Sequence, residues 1–187
     1  MTLSLSSRNV PINKKRYFTG FSAFIVLLLT AGVFFQPSAS LEAGAVGKKA
    51  FGTVYLENLA TGRRELLRKR FGKGPVILNF WATYCIPCAQ EMPELQKLSR
   101  RYPKAELLFI NIDPGRKIRK VKKKVKAWGI KDTVLLDKYQ LAAKRYIPGL
   151  KVPATFLIGS DGKIKYLSLG YHKTTIANLN KALKKLR

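Results

Sequence analysis

Residues 75–81, Pro-Val-Ile-Leu-Asn-Phe-Trp, form a short, nearly continuous apolar run rich in β-branched and aromatic side chains, entered through Gly72 and Gly74. A run of this kind predicts a strand buried on both faces, which requires a sheet covered by helices. Four residues later stand the only two cysteines of the chain, in Cys85-Ile86-Pro87-Cys88. After Cys88, the apolar residues Leu95, Leu98 and Tyr102 recur at spacings of three and four, the pattern of an amphipathic helix. The order is therefore strand, turn, cysteine pair, helix.

That order is also what thiol chemistry needs. A Cys-x-x-Cys spacing permits a small reversible disulfide, although half of a zinc site looks the same. A structural zinc site takes about four ligands, mostly Cys and His. The chain offers no second cysteine pair, and its single histidine, His172, lies far away in sequence. Redox chemistry therefore leads and no metal is expected. A cysteine at a helix N-terminus faces unpaired N–H groups and the positive end of the helix dipole, both of which favour the thiolate. Cys85 is expected to be the exposed nucleophile, and Cys88, one turn on, the shielded resolving thiol. Pro87 sits where a first-turn proline is tolerated.

The motifs Asn79-Phe80-Trp81-Ala82-Thr83-Tyr84-Cys85-Ile86-Pro87-Cys88, then Glu91, Pro93 and Leu95, then Val152-Pro153-Ala154-Thr155-Phe156-Leu157-Ile158 and Asp161-Gly162-Lys163-Ile164, resemble the exported thiol-disulfide oxidoreductases of the TlpA/ResA type. The resemblance covers roughly residues 50–187. It implies an α/β thioredoxin fold: a three-layer α/β/α sandwich with a mixed central sheet and an N-terminal β-hairpin extension. It further implies that Cys85 and Cys88 are catalytic, and that Pro153 is cis beside the disulfide. Val152, Pro153 and Trp81 would then contact substrate, the Val152 backbone by pairing with a substrate strand. Asn79 stands where cytosolic thioredoxins carry a buried aspartate, and asparagine cannot take the proton of Cys88. Glu91 and Asp113 are the candidate proton shuttles. The resemblance implies reduction of disulfides in exported proteins, such as an apocytochrome c, with electrons drawn from a membrane thiol-disulfide donor. A disulfide oxidase of the same fold is the first alternative. A copper-binding chaperone using Cys85, Cys88 and His172 is the second, since soft thiolates suit Cu(I). A non-catalytic basic adhesion module is the third.

The ends and the charge bear on where this chemistry runs. Basic residues 1–16, ending in Lys14-Lys15-Arg16, precede the nineteen uncharged residues 17–35. This is an export signal, either cleaved or retained as a membrane anchor with its basic flank in the cytoplasm. Small-residue cleavage sites stand at Ser38-Ala39-Ser40 and Ala43-Gly44-Ala45. Residues 36–49 read as a tether and 50–187 as one domain. Either outcome places the domain outside the cytoplasm, where disulfides persist. The chain carries 36 lysines and arginines against 10 acidic residues, a formal net charge of +26. Arg116, Lys117, Arg119, Lys120, Lys122, Lys123, Lys124 and Lys126 crowd one predicted helix, between the apolar positions Ile118, Val121, Val125 and Trp128. Such a face is drawn to an anionic membrane surface or to acidic partners. Nucleic acid is excluded by compartment and by the lack of aromatic residues on the polar face. No flavin or nicotinamide motif is present, so no cofactor is expected.

The predicted elements are a hairpin (51–56, 63–67), strand 75–81, helix 86–101, strand 106–112, helix 116–128, strand 133–136, helix 138–146, strands 154–159 and 163–169 about a Ser-Asp-Gly-Lys turn, and helix 174–185 with Thr174 as N-cap. His172 reads as an exposed loop histidine.

Overall fold

A computed structural model describes residues 44–186. The basic terminus 1–16, the segment 17–35 and most of the tether lie outside the described residues. Among the described residues no helix is long and apolar enough to cross a membrane.

The strands are β1 (Tyr55–Asn58), β2 (Arg64–Leu66), β3 (Val76–Trp81), β4 (Glu106–Asn111), β5 (Thr133–Leu136), β6 (Ala154–Ile158) and β7 (Ile164–Leu169). The helices are α1 (Ile86–Ser99), α2 (Ile118–Ala127), α3 (Ala143–Tyr146) and α4 (Thr175–Lys184). One mixed seven-stranded sheet has the order β2-β1-β5-β4-β3-β6-β7. Strands β3, β4 and β5 run parallel, while β6 pairs antiparallel with β3 and β7 with β6. The hairpin β1–β2 extends the far edge through β5. This is the expected thioredoxin-type α/β architecture.

All six residues of β3 are buried, as a strand covered on both faces must be. The chain steps from β3 to β4 to β5 in one direction, so two right-handed crossovers lay α1 and α2 on the same face. Gln96 of α1 ties them: its Nε2 donates to the Gly129 carbonyl at 3.3 Å and its Oε1 accepts from the Lys131 N–H at 2.9 Å. Helix α4 joins this layer, where the Tyr102 hydroxyl donates to Asn180 Oδ1 at 2.6 Å. Strand alternation sends neighbouring aromatics to opposite faces. Trp81 meets Trp128 on the helical side, with ring centroids 5.4 Å apart. Phe80 meets Tyr146 at 5.3 Å and Phe156 at 5.9 Å on the other. Trp128 is half-buried, so the apolar stripe of α2 packs at the edge of the core rather than deep within it.

Three expectations need correction. The helix expected over 138–146 forms only at Ala143–Tyr146. The buried Asp137 carboxylate accepts from the N–H groups of Leu141 and Ala143, each at 2.8 Å, and Gln140 adopts φ of 58°, which a continuous helix forbids. Thr174 precedes α4 but makes no side-chain cap. Thr175 instead shares a 3.0 Å hydrogen bond with Ser168 of β7. The tether is not free up to residue 49: Gly47 and Ala50 donate to the carbonyls of Ile164 and Gly162, and Lys48 accepts from Ile164. The exposed edge of β7 thus captures the incoming chain, and the domain starts earlier than residue 50.

Candidate active site

The cysteine pair sits where β3 ends and α1 begins, on a loop whose shape is fixed by buried hydrogen bonds. The Cys85 N–H closes a turn onto the Ala82 carbonyl at 3.1 Å. Asp113, just past the end of neighbouring β4, brackets Thr83. Its Oδ2 accepts from the Thr83 N–H at 2.7 Å and its Oδ1 from the Thr83 hydroxyl at 3.0 Å. Asn111 Nδ2 donates to the same Oδ2 at 2.9 Å, and Lys117 Nζ stands 3.7 Å from Oδ1. Parallel pairing of β3 with β4 sets this contact, because it brings the two strand ends side by side. With both carboxylate oxygens so engaged, Asp113 positions the loop.

Cys85 is the N-cap of α1 and Cys88 lies one turn in. The two are joined as a disulfide, with their Cα atoms 5.4 Å apart. The Cys88 N–H points at Cys85 Sγ over 3.2 Å. That is the arrangement in which a helix N-terminus stabilises a thiolate. Exposure differs from expectation. Cys85 is only 5% exposed and Cys88 not at all. The accessible rim is made by the residues on either side of Cys85, Tyr84 at 59% and Ile86 at 79%. Trp81 is wholly buried, with its ring against that of Trp128. Tyr84, which the sequence reading did not single out, is the exposed aromatic residue next to Cys85. The sequence signal was present, since Tyr84 directly precedes Cys85 in a turn that no periodicity buries.

The Val152–Pro153 peptide is cis, as the resemblance implied. Register pairs Phe80, near the end of β3, with Ala154, so Val152 and Pro153 directly precede the last paired residue of β6. The Pro153 carbonyl accepts from the Gly170 N–H at 2.7 Å, drawing the segment before α4 toward the site. Val152 is half-buried.

Beneath the pair lies a buried polar chain. Asn79 and Thr155 are register partners on β3 and β6. Asn79 Nδ2 donates to Thr155 Oγ1 at 2.9 Å, and that hydroxyl donates to Glu91 Oε1 at 2.6 Å. Glu91, one turn beyond Cys88, is 4% exposed, and its Oε2 has no hydrogen-bond partner. Burial pushes its carboxyl above the usual carboxylate range, opposed by the Thr155 hydroxyl and by the charge of His172. A buried acid shifted toward neutrality beside a redox pair is suited to exchanging a proton. In the sequence Thr155 is only part of a strand motif, because its hydrogen bonds depend on the β3–β6 register. His172 is exposed, as expected, with Nε2 3.1 Å from the Leu169 carbonyl. The ligands of the copper alternative do not gather: among the described residues no three His, Cys, Asp or Glu are grouped to hold a metal.

Comparison with known proteins places these features in a family. Residues 48–167 match the AhpC/TSA family. The thiol-disulfide oxidoreductase ResA of Bacillus thuringiensis (strain Al Hakam) is 34% identical over 170 residues, covering 89% of this chain and 95% of that protein. The ResA of Bacillus anthracis matches to the same extent. Among solved structures, the thioredoxin domain of a thiol-disulfide oxidoreductase from Bacteroides vulgatus superposes with a TM-score of 0.64 at 21% identity, covering 76% of this chain and 99% of that one, which establishes the fold.

Proposed function

From the premise that the chain belongs to the AhpC/TSA family, as a thiol-disulfide oxidoreductase of the ResA type, we propose that it reduces disulfides of exported proteins through Cys85 and Cys88. The observation that carries the assignment is the Cys85–Cys88 disulfide at the start of α1, with the Cys88 N–H directed at Cys85 Sγ.

In the reduced enzyme the Cys85 thiolate attacks one sulfur of a substrate disulfide, forms a mixed disulfide and releases the other sulfur as a thiolate. Cys88 then loses its proton and attacks Cys85 Sγ, which frees the second substrate thiol and closes the Cys85–Cys88 bond. Two electrons pass to the substrate for each bond closed. Glu91 is the proton acceptor this reading gives to Cys88, because it is buried one turn away with one oxygen unpartnered. The Val152 backbone is the edge on which the substrate strand pairs. A membrane thiol-disulfide donor restores the dithiol. Residues 17–35 hold the domain at the outer face of the membrane or direct its secretion, and an apocytochrome c is the substrate that the resemblance supports.

The decisive experiment equilibrates the full chain with defined dithiol buffers and reads the potential of the pair. A value near that of thioredoxin, about −270 mV, or lower supports a reductase. A value near −120 mV, that of a strong oxidant, reverses the direction of flow. Cys88→Ser is expected to accumulate a mixed disulfide at Cys85, visible by mass spectrometry, and Cys85→Ser to form none.

A further inference from the structure

The basic helix α2 does not lie at random on the surface: the turn that leads into it adjoins the redox site. Lys117, in the single 3-10 turn that leads into α2, reaches Asp113 beneath the cysteine loop and places its Nζ 5.6 Å from the centre of the Tyr84 ring, next to Cys85. Lys120 and Lys124 follow at helical spacing, and Lys124 Nζ stands 5.1 Å over Trp128, which packs on Trp81 of β3. Arg116, Arg119, Lys120 and Lys123 are exposed along the same helix. Apart from the Lys117–Asp113 contact, no ion pair engages a basic residue of this helix among the described residues.

This charge works against the helix that carries it. Cations in the first turn oppose the helix dipole, and no acidic residue offsets them there. Like charges recur four residues apart, as in Arg116–Lys120, Arg119–Lys123 and Lys122–Lys126, and repel. A fold has no structural use for eight cations so arranged, whereas a positive field that begins at the nucleophile steers anionic reactants onto it.

We propose that the α2 face is the docking surface for a protein partner of the exchange reaction that presents its cysteines beside acidic residues. This rests on the assignment of Cys85 and Cys88 as the exchanging pair. A protein partner fits better than an anionic membrane, because the stripe is continuous with the rim of Tyr84 and Cys85. A bilayer lying on it would cover the approach to the disulfide, while a protein docked there delivers its own sulfur to it. Exchange balances in the usual way. A partner thiolate attacks Cys85 Sγ and Cys88 leaves as a thiolate and takes up a proton. The partner's second thiolate then attacks the mixed disulfide, so that the partner is oxidised by two electrons and the pair reduced.

The test uses the oxidised full chain and two synthetic dithiol peptides of one sequence, with four aspartates or four asparagines flanking a Cys-x-x-Cys. Reduction of the pair is followed by quenched alkylation, with uncharged dithiothreitol as the reference reductant. At low salt the aspartate peptide is expected to react about tenfold or more faster than the asparagine peptide. The ratio should fall toward one near 1 M salt, where charges are screened beyond about 3 Å. It should also fall toward one in Arg119→Gln/Lys120→Gln/Lys123→Gln, which leaves the Lys117–Tyr84 and Lys124–Trp128 contacts unaltered in residue type. The thiol reactivity of each peptide cancels in the comparison of wild type with variant. Equal rates in the wild type, or a ratio that the triple variant preserves, would overturn the proposal. So would a variant that loses binding to phosphatidylserine vesicles while keeping the peptide ratio, which would assign the face to lipid. If neither peptide nor dithiothreitol reduces the pair, the exchange assignment itself fails, and this is distinguishable from exchange without preference for acid.

Discussion

Thr155→Val tests whether the chain Asn79–Thr155–Glu91 is a working unit. Valine keeps the shape of threonine and removes one hydroxyl, which now donates to Glu91 Oε1 and accepts from Asn79 Nδ2. Both partners are buried, and each already carries an oxygen without a partner, Oδ1 of Asn79 and Oε2 of Glu91. Stranding a buried polar group costs about 1–3 kcal/mol, so two give about 2–6 kcal/mol against a total stability of about 5–15 kcal/mol. The pH dependence identifies the group. Burial raises the Glu91 carboxyl and the Thr155 hydroxyl opposes that rise. The folded protein therefore holds a proton on Glu91 that the unfolded chain releases, and stability falls as pH rises from the unfolded value through the folded one. Glu91→Gln should thus match wild type in acid and exceed it above the raised folded value. Hydrogen bonds to charged groups are worth about 1.5–3 kcal/mol and neutral ones about 0.5–1.5. Thr155→Val should accordingly cost about 1 kcal/mol less in the Glu91→Gln background, and only where Glu91 is ionised. Urea unfolding of the four proteins across pH, read by tryptophan fluorescence, completes the cycle. A coupling that is zero, or that does not change with pH, would refute the hydrogen-bonded chain.

Three further outcomes follow from the geometry. Asp113→Ala strands the Thr83 N–H, its hydroxyl and Asn111 Nδ2, and should cost about 2–4 kcal/mol in thermal unfolding and slow exchange at every pH. Movement of the midpoint of the pH–rate profile in that variant would restore a proton-transfer task to Asp113. Asp137→Ala removes the acceptor of the Leu141 and Ala143 N–H groups, and is expected to cost about 1–2 kcal/mol and to speed hydrogen exchange at those two amides ahead of the sheet. Gly74→Ala would place a Cβ 2.5 Å from the Lys104 carbonyl oxygen, and about 1–3 kcal/mol should be lost as a lowered melting temperature.

Much of this protein was legible in its sequence, for a local reason. The apolar run before Cys85, the period of Leu95, Leu98 and Tyr102, and the Ser-Asp-Gly-Lys turn each report their own backbone, so strands, helices and their order follow from neighbours in the chain. The cysteine pair and its place at a helix N-terminus are local facts of the same kind. What failed depended on contacts between distant residues. Nothing near Asp137 shows that its carboxylate will hold Leu141 and Ala143 and delay a helix until Ala143. The packing of Trp81 on Trp128, forty-seven positions on, is a contact of the same long-range kind. Glu91 and Asp113 were equal candidates in the sequence. The β3–β6 register buried one above Thr155 with an oxygen unpartnered, and the β3–β4 pairing engaged both oxygens of the other. Which elements form, and where the thiols stand among them, could be read from the chain alone, because both follow from short-range periodicity and capping. That Glu91 keeps an unpartnered oxygen in the core, and that the basic segment starts with Lys117 over the Tyr84 ring, came from the fold, because desolvation and charge act between atoms brought together by the sheet.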